Sequence, residues 1–358
     1  MKLDFNRYPL LVAWETTHAC LLACKHCRAS AEPDPLPGEL TTEEGFGLLD
    51  QLAAFEHKPV LLPTGGDPLQ RKDLFLMLER ARGLGIKVGI TPAVTPLLTR
   101  QVVERFKALD VHQMAISLDG GSAESHDGFR GVPGTFDHAL QALDWARELG
   151  LPTQVNTTVT RLTVEELPGI ADILARKGVA TWEVFFLVPV GRGALLNQLS
   201  ADEYENVMNW LYLASRNYAF NIRTTEGPQF RRVVMQHRRR HDSLDDGALV
   251  GHGRGSHLSD GNGFVFVSAT GEVYPSGFLP VSGGNIRERP LAEIYQESPL
   301  FQALRDKSLL KDKCGVCEFK QLCGGSRARA WAETGDYLAS DPRCSYLPLV
   351  LQSQVSPG

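Results

Sequence analysis

From residue 10 to about residue 190, short apolar runs alternate with amphipathic stretches of helical length, and no other feature of the chain limits its fold so tightly. The strand candidates are 11–15, 59–63, 86–91, 112–118, 153–159 and 182–187. The helix candidates between them are 42–56, 72–84, 99–108, 135–149 and 164–177, and a sixth follows at 200–215. Thr42 with Glu44, Thr99 with Glu104 and Ser200 with Glu203 put short polar side chains and acids where helix N-termini want them. Six strand-then-helix units in succession predict an α/β fold with a parallel sheet and right-handed crossovers. Six is two short of a closed eight-unit barrel. The expectation is therefore an open, partial (β/α)6 TIM-like barrel, with its chemistry on the loops that follow the strands.

The pattern changes after residue 236. Residues 237–263 are rich in Gly, His and charge without periodicity, and read as a linker or long loop. Residues 264–268 and 272–275 flank Ala269-Thr270-Gly271 and read as a β-hairpin. A short helix near 291–298 and a cysteine-rich tail follow. The expected division is a barrel over 1–236, a linker over 237–263 and a smaller domain over 264–358.

Hydrophobic residues make up 43% and charged residues 22%, an ordinary globular mix. A formal charge of −5 argues against a general nucleic-acid binder. The apolar stretch at 9–14 is too short for a signal peptide, and no run has the length of a membrane span. A soluble, cytoplasmic protein without a membrane partner is expected.

Seven cysteines are too few for a disulfide scaffold, and their placement points to metal. Cys20, Cys24 and Cys27 lie in one loop after the first strand, spaced x3 and x2. Cys314, Cys317, Cys323 and Cys344 form a second set of four. Three thiolates on an iron–sulfur cubane leave one iron open, as a site that admits a cosubstrate must be. Taken as residues alone, the first set also suits zinc or three buried neighbours, and the second suits zinc or a closed cubane.

Three ordered motifs bear on that choice. The CxxxCxxC loop carries an aromatic His26 before its third cysteine. The second strand runs into Pro63-Thr64-Gly65-Gly66-Asp67-Pro68, and the fourth into Ile116-Ser117-Leu118-Asp119-Gly120, followed by His126-Asp127-Gly128-Phe129-Arg130-Gly131. In these the chain resembles the radical S-adenosylmethionine (SAM) superfamily, whose GGEP element has Glu where Asp67 stands. The resemblance implies a 4Fe-4S cluster on Cys20, Cys24 and Cys27, with the amino and carboxylate groups of SAM on the open iron. It implies that Gly65, Gly66, Asp67 and Pro68 lie at the methionine ammonium, and that Ser117 and Arg130 contact ribose or carboxylate. Asn156 and Leu187 fall where the family contacts ribose and adenine.

From Tyr274 to Cys344 the tail resembles the SPASM or twitch extension, which implies an auxiliary 4Fe-4S cluster on Cys314, Cys317, Cys323 and Cys344. Ser276 and Ser326 stand in segments where full SPASM domains carry cysteines for a further cluster, so one auxiliary cluster is expected. Segments such as Gly284-Asn285-Ile286-Arg287 and Cys323-Gly324-Gly325-Ser326-Arg327 resemble the radical enzymes of alternative and denitrification haem biosynthesis. That likeness implies hydrogen abstraction from a tetrapyrrole propionate, followed by fragmentation or decarboxylation. The auxiliary cluster could take the electron left over, and a flavodoxin or ferredoxin-type protein would supply reducing electrons. Modification of a ribosomally made peptide is the rival reading. Only about nineteen residues precede Cys20, too few for a peptide-recognition domain. A non-catalytic iron–sulfur regulator would leave the cosubstrate motifs without purpose. The run from His237 to His241 could grip carboxylates, although Asp242, Asp245 and Asp246 beside it suit a solvated face. Glu15, His18 and Tyr337 lie near the cysteines and could move protons.

Overall fold

The first strand, β1 (Leu11–Thr17), buries Val12, Trp14 and Thr16 completely on one face and turns Ala13 and Glu15 to the other. The computed structural model describes residues 3–241 and 258–355. After β1 come α1 (Thr42–Ala53), β2 (Val60–Gly65), α2 (Leu74–Gly83), β3 (Gly89–Ile90), α3 (Arg100–Ala108) and β4 (Gln113–Ser117). Two helices follow, α4 (Ala123–Arg130) and α5 (Thr135–Glu148), then β5 (Thr153–Val159), α6 (Leu167–Lys177), β6 (Thr181–Phe186) and α7 (Ala201–Asn217). The six expected units are all present.

Cap chemistry explains where the helices start. Thr41, one residue before the expected cap, accepts a hydrogen bond from the Glu44 amide, and the Glu44 carboxylate accepts one from Thr41 N–H. Ser200 and Glu203 form the same reciprocal pair at α7. Thr99 caps α3 through the Val102 amide, while Glu104 pairs with Arg100 instead. β3 is much shorter than the 86–91 run suggests. Pro63 of β2 has no N–H to donate, and Pro92 ends the run.

Three elements depart from the expected plan. The helix α4 occupies part of a stretch read as loop; Ser122 caps it and Gly131 ends it at φ +75°. A seventh unit, β7 (Asn221–Thr225) and α8 (Gln229–His241), follows the sixth. Residues 237–241, read as the start of a linker, are therefore the last turn of a helix, because Phe230, Val233 and Val234 bury its inner face. Asp242, Asp245 and Asp246 lie outside the described residues.

The expected hairpin is β8 (Phe264–Val267) and β9 (Glu272–Tyr274), extended by β10 (Gly284–Asn285). Its first strand is not confined to a separate domain. β8 runs parallel to β1, with Leu11 opposite Phe264 and Trp14 opposite Val267. The strand order is β10-β9-β8-β1-β2 in one sheet and β3-β4-β5-β6-β7 in the other, joined by a parallel bridge from Leu61 to Val88. The result is one curved layer, open between β7 and β8 among the described residues. The tail adds α9 (Leu291–Glu297), α10 (Pro299–Arg305), α11 (Asp312–Val316), α12 (Arg327–Thr334) and α13 (Leu349–Val355).

One hydrophobic core serves both parts. It runs from Trp14, Phe106 and Trp182 between sheet and helices to Leu291, Tyr295 and Phe301 of the tail. The Tyr295 hydroxyl donates to Phe5 O at 2.6 Å and accepts from Gly263 N–H at 2.9 Å, tying the start of the chain to the tail. Among the described residues, no helix is long and apolar enough to cross a membrane.

On β4 to β7 the residues Ile116, Val155, Trp182 and Ile222 bury themselves against the helices. The alternate residues Ser117, Asn156, Glu183 and Arg223 are register partners across all four strands and line the barrel interior.

Candidate active site

The loop after β1 is held from three sides. Gly66 N–H and Asp67 N–H donate to Thr17 O and Ala19 O at 2.9 and 2.7 Å. Lys25 N–H donates to Phe129 O at 3.0 Å, and the Arg192 amide to Cys27 O at 2.9 Å. The Arg192 guanidinium reaches Cys24 O and Ala31 O, both at 2.9 Å. The approach is close enough to require glycine. A Cβ on Gly66 would lie 2.2 Å from Ala19 O, and one on Gly65, at φ +147°, would lie 2.3 Å from Thr17 O. The glycine pair thus has a local duty, seating β2 against the backbone that enters Cys20.

Each sulfur of the loop receives one N–H. Leu22 N–H donates to Cys20 Sγ at 3.4 Å, Arg130 Nη1 to Cys24 Sγ at 3.5 Å, and Ala31 N–H to Cys27 Sγ at 3.4 Å. Burial pushes the Cys20 thiol up to about 12, so its thiolate needs a cation beside it. Buried His26 Nδ1, Arg130 Nε and Arg192 Nη2 have no hydrogen-bond partner around the loop. Burial lowers His26 to about 4, and its neutral ring stacks on Phe129 at 4.6 Å. Among the described residues, no three His, Cys, Asp or Glu side chains converge to hold one metal ion. A cubane takes one thiolate per iron and so suits spread sulfurs and spare donors. The loop fits a cluster better than zinc.

Arg130 and Asp119 form a buried ion pair behind the loop. Asp119 also accepts Thr158 N–H at 2.7 Å, and its own amide donates to His126 Nδ1 at 3.0 Å. Burial works to raise the Asp119 pKa, but Arg130, His26, His126 and the Thr158 amide together outweigh it and the net shift is downward. The arginine expected at the cosubstrate is therefore committed to Asp119 and Cys24.

The other expected contacts divide. Ser117 and Asn156 sit side by side on the interior face, with Asn156 Oδ1 accepting from Gln154 at 2.8 Å. Asp67 is fully buried, and its carboxylate accepts from Leu69 N–H, Ala93 N–H and the Thr95 hydroxyl. It braces its own loop, and Pro68 opens the short turn behind it. Leu187 is buried, its carbonyl accepting from Tyr204 and Arg329, both at 3.3 Å. Glu15 is taken up by Arg28, Nη2 to Oε1 at 3.3 Å. The sequence reading missed Arg28, Arg192, Glu183 and Arg223. For the last two, the alternating polar positions of the later strands were the available signal.

In the tail, Cys314, Cys317, Cys323 and Cys344 line one cavity together with Arg232 and Lys313. Gly325 N–H donates to Cys323 Sγ at 3.4 Å, and Arg327 Nη2 approaches Cys314 Sγ at 3.8 Å. Burial pushes the Cys323 thiol up to about 12. Four thiolates in one cation-lined cavity fit a closed, negatively charged cluster. Ser326 caps α12, and Ser276 accepts Phe278 N–H at 3.3 Å. Both serines are built into local structure.

A sequence model of the radical SAM superfamily matches residues 14–174, and one of an iron–sulfur cluster-binding domain, SPASM, matches residues 260–318. The chain is 39% identical over 351 residues to an AdoMet-dependent heme synthase of Methanosarcina barkeri (strain Fusaro / DSM 804), covering 95% of this chain and 97% of that one. It is 39% identical over 343 residues to the AdoMet-dependent heme synthase of Nitratidesulfovibrio vulgaris, covering 94% and 92%. Streptococcus suis SuiB bound to S-adenosylmethionine has the same fold, with a TM-score of 0.74 at 16% identity over 95% of this chain and 78% of that one.

Proposed function

The chain belongs to the radical SAM superfamily, and we propose that within it this enzyme decarboxylates or trims the propionate side chains of a tetrapyrrole. The observation that carries the proposal is the nearly full-length similarity to heme synthases, which spans the barrel and the tail alike. When bound, a 4Fe-4S cluster with SAM supplies reductive cleavage to a 5′-deoxyadenosyl radical, and a second, closed cluster supplies an electron-transfer centre.

The chain's own residues set the stage. Cys20, Cys24 and Cys27 would hold the first cluster, and Cys314, Cys317, Cys323 and Cys344 the auxiliary one. Gly65 and Gly66 hold the loop in place by backbone packing, while Arg130 polarises Cys24 and is itself fixed by Asp119. Ser117 and Asn156 offer a hydroxyl and an amide to the cosubstrate ribose from the end of β4 and the middle of β5. Asp67, Pro68 and Leu187 shape the walls from behind.

Abstraction of a hydrogen from the propionate carbon next to the ring, followed by loss of carbon dioxide, leaves a vinyl group and one electron per side chain. A flavodoxin- or ferredoxin-type protein is the proposed electron donor. All seven cysteines are free thiols, as the cytoplasm keeps them, and we place the enzyme there.

The test is the yield of 5′-deoxyadenosine from anaerobically reconstituted protein with SAM and a strong reductant, with and without an iron coproporphyrin. Stimulation above the uncoupled background, lost in Cys24→Ala, supports the proposal. Background cleavage unmoved by any tetrapyrrole transfers it to a peptide substrate.

A further inference from the structure

Beyond the cysteine loop, two guanidinium groups stand at the strands that border the barrel opening, Arg28 against β1 and β8 and Arg223 on β7, with aromatic rings along the way from one to the other. Arg28 follows Cys27 directly. Among the described residues its ion pair is the 3.3 Å contact with Glu15, and its guanidinium carbon lies 4.3 Å from the centre of the Phe266 ring. Gly277 presses against it so closely that a Cβ there would come within 2.9 Å of Arg28 Nε. The next residue, Phe278, meets Phe185 of β6 with ring centroids 6.2 Å apart. Phe185 stands two residues from Glu183 on the same face, and Glu183 is the register partner of Arg223.

Arg223 is exposed, yet it is not on the outer surface of the molecule. Its neighbour Ile222 is 1% exposed in the core between sheet and helices, so Arg223 turns the other way, into the barrel. It has no hydrogen-bond or ion-pair partner among the described residues. Glu183, the acid beside it in the row, forms no ion pair with it and instead accepts from the Thr225 hydroxyl at 2.8 Å. A sheet interior that had only to pack would hold Val or Ile at these positions. A guanidinium without an ion pair on β7, and another over the Phe266 ring whose Glu15 contact is long at 3.3 Å, suit a flat apolar ligand edged with carboxylates, which Arg binds through two parallel hydrogen bonds.

We propose that Arg28 and Arg223 are the carboxylate-binding residues of the substrate site, Arg28 taking the propionate nearest the cysteine loop and Arg223 a second carboxylate on the β7 wall. This rests on the tetrapyrrole reading and deepens it.

The experiment is equilibrium binding to the full, anaerobically reconstituted chain in the presence of SAM. The probes are iron coproporphyrin as the free tetracarboxylate and the same macrocycle as its tetramethyl ester. Wild type, Arg223→Gln, Arg28→Gln and the two Arg→Lys variants are compared, with iron content measured for each so that a lost cluster is recognised. Each Gln variant is expected to weaken the free acid by about tenfold or more while leaving the ester unchanged, with partial rescue by Lys. Free-acid affinity unchanged in Arg223→Gln, or an equal loss for acid and ester, overturns the carboxylate role. Wild type that binds neither probe refutes the tetrapyrrole reading instead, a result that differs from a failure of the clamp alone.

Discussion

Arg130→Met separates two roles for the arginine behind the cysteine loop. If its ion pair with Asp119 holds the fold, the change must destabilise even the metal-free protein. The side chain of Arg130 is 11% exposed and that of Asp119 0%. Two unit charges about 4 Å apart at an effective dielectric of 20 attract by roughly 4 kcal/mol. Removing one member of a buried pair costs about 3–5 kcal/mol, because the other charge stays buried without compensation. Asp119 would keep only the Thr158 amide, which cannot hold a carboxylate in place of a guanidinium. Methionine has nearly the length of the arginine stem, so lost packing contributes little. The assay is urea unfolding of the apo-protein under reducing, anaerobic conditions, followed by circular dichroism. Arg130→Met should lose about 3–5 kcal/mol, and Asp119→Asn with Arg130→Met should recover about half, since the stranded charge is gone. A single variant within about 1 kcal/mol of wild type, with no recovery in the double variant, would falsify the structural role. The arginine would then be a cosubstrate contact alone, as the family resemblance implies.

Three further outcomes follow from the same geometry. Gly66→Ala pushes a methyl to 2.2 Å from Ala19 O, so the loop must retreat by nearly 1 Å; iron and sulfide analysis should show roughly half the wild-type complement, and a full complement would count against the packing argument. Cys344→Ala should also halve the iron, but by emptying the tail site, so uncoupled SAM cleavage should persist; its abolition would contradict the assignment of the two cysteine sets. For Glu183, burial raises the pKa above its usual value despite the Thr225 hydrogen bond and the charge of Arg223. A carboxyl raised in the folded state favours folding while protonated, and that contribution fades as pH climbs through the folded pKa. Glu183→Gln should therefore raise the melting temperature at pH 8 and leave it unchanged near pH 4, where wild type is protonated as well. An equal shift at both values would mean that ionisation is not the cause.

Local signals revealed the units of the fold but not their closure. The caps at α1, α3 and α7 and the alternating apolar runs are properties of neighbouring residues, and they located all six expected strand-and-helix units. The pairing of β8 with β1 joins Leu11 to Phe264 across most of the chain, and nothing within either segment specifies its partner. The cysteine spacings picked out the two thiol sets that share one loop and one cavity, while the hydrogen bonds of Arg130 and Asp67 and of the Leu187 carbonyl to the scaffold were not legible, because spacing does not record direction. The helix α8 was hidden by its own arginines, which mask the buried Phe230, Val233 and Val234.

The strand β7 was hidden for a more instructive reason. Its sequence, Asn221-Ile222-Arg223-Thr224-Thr225, reads as too polar for a strand of a parallel barrel, where both faces are normally apolar. The same irregularity occurs in β5, where Gln154, Asn156 and Thr158 alternate with Val155 and buried Thr157, and in β6 at Glu183. Alternation of this kind suits a sheet with one wet face, but the crossovers of a βα fold leave no such face on its outside. The polar positions must then turn inward, to the barrel interior. That deduction needs only the βα order and the period-two pattern, and it points to Glu183 and Arg223 before any coordinate is seen. Polarity that looks like a weak strand is, in this chain, the mark of side chains turned into the barrel.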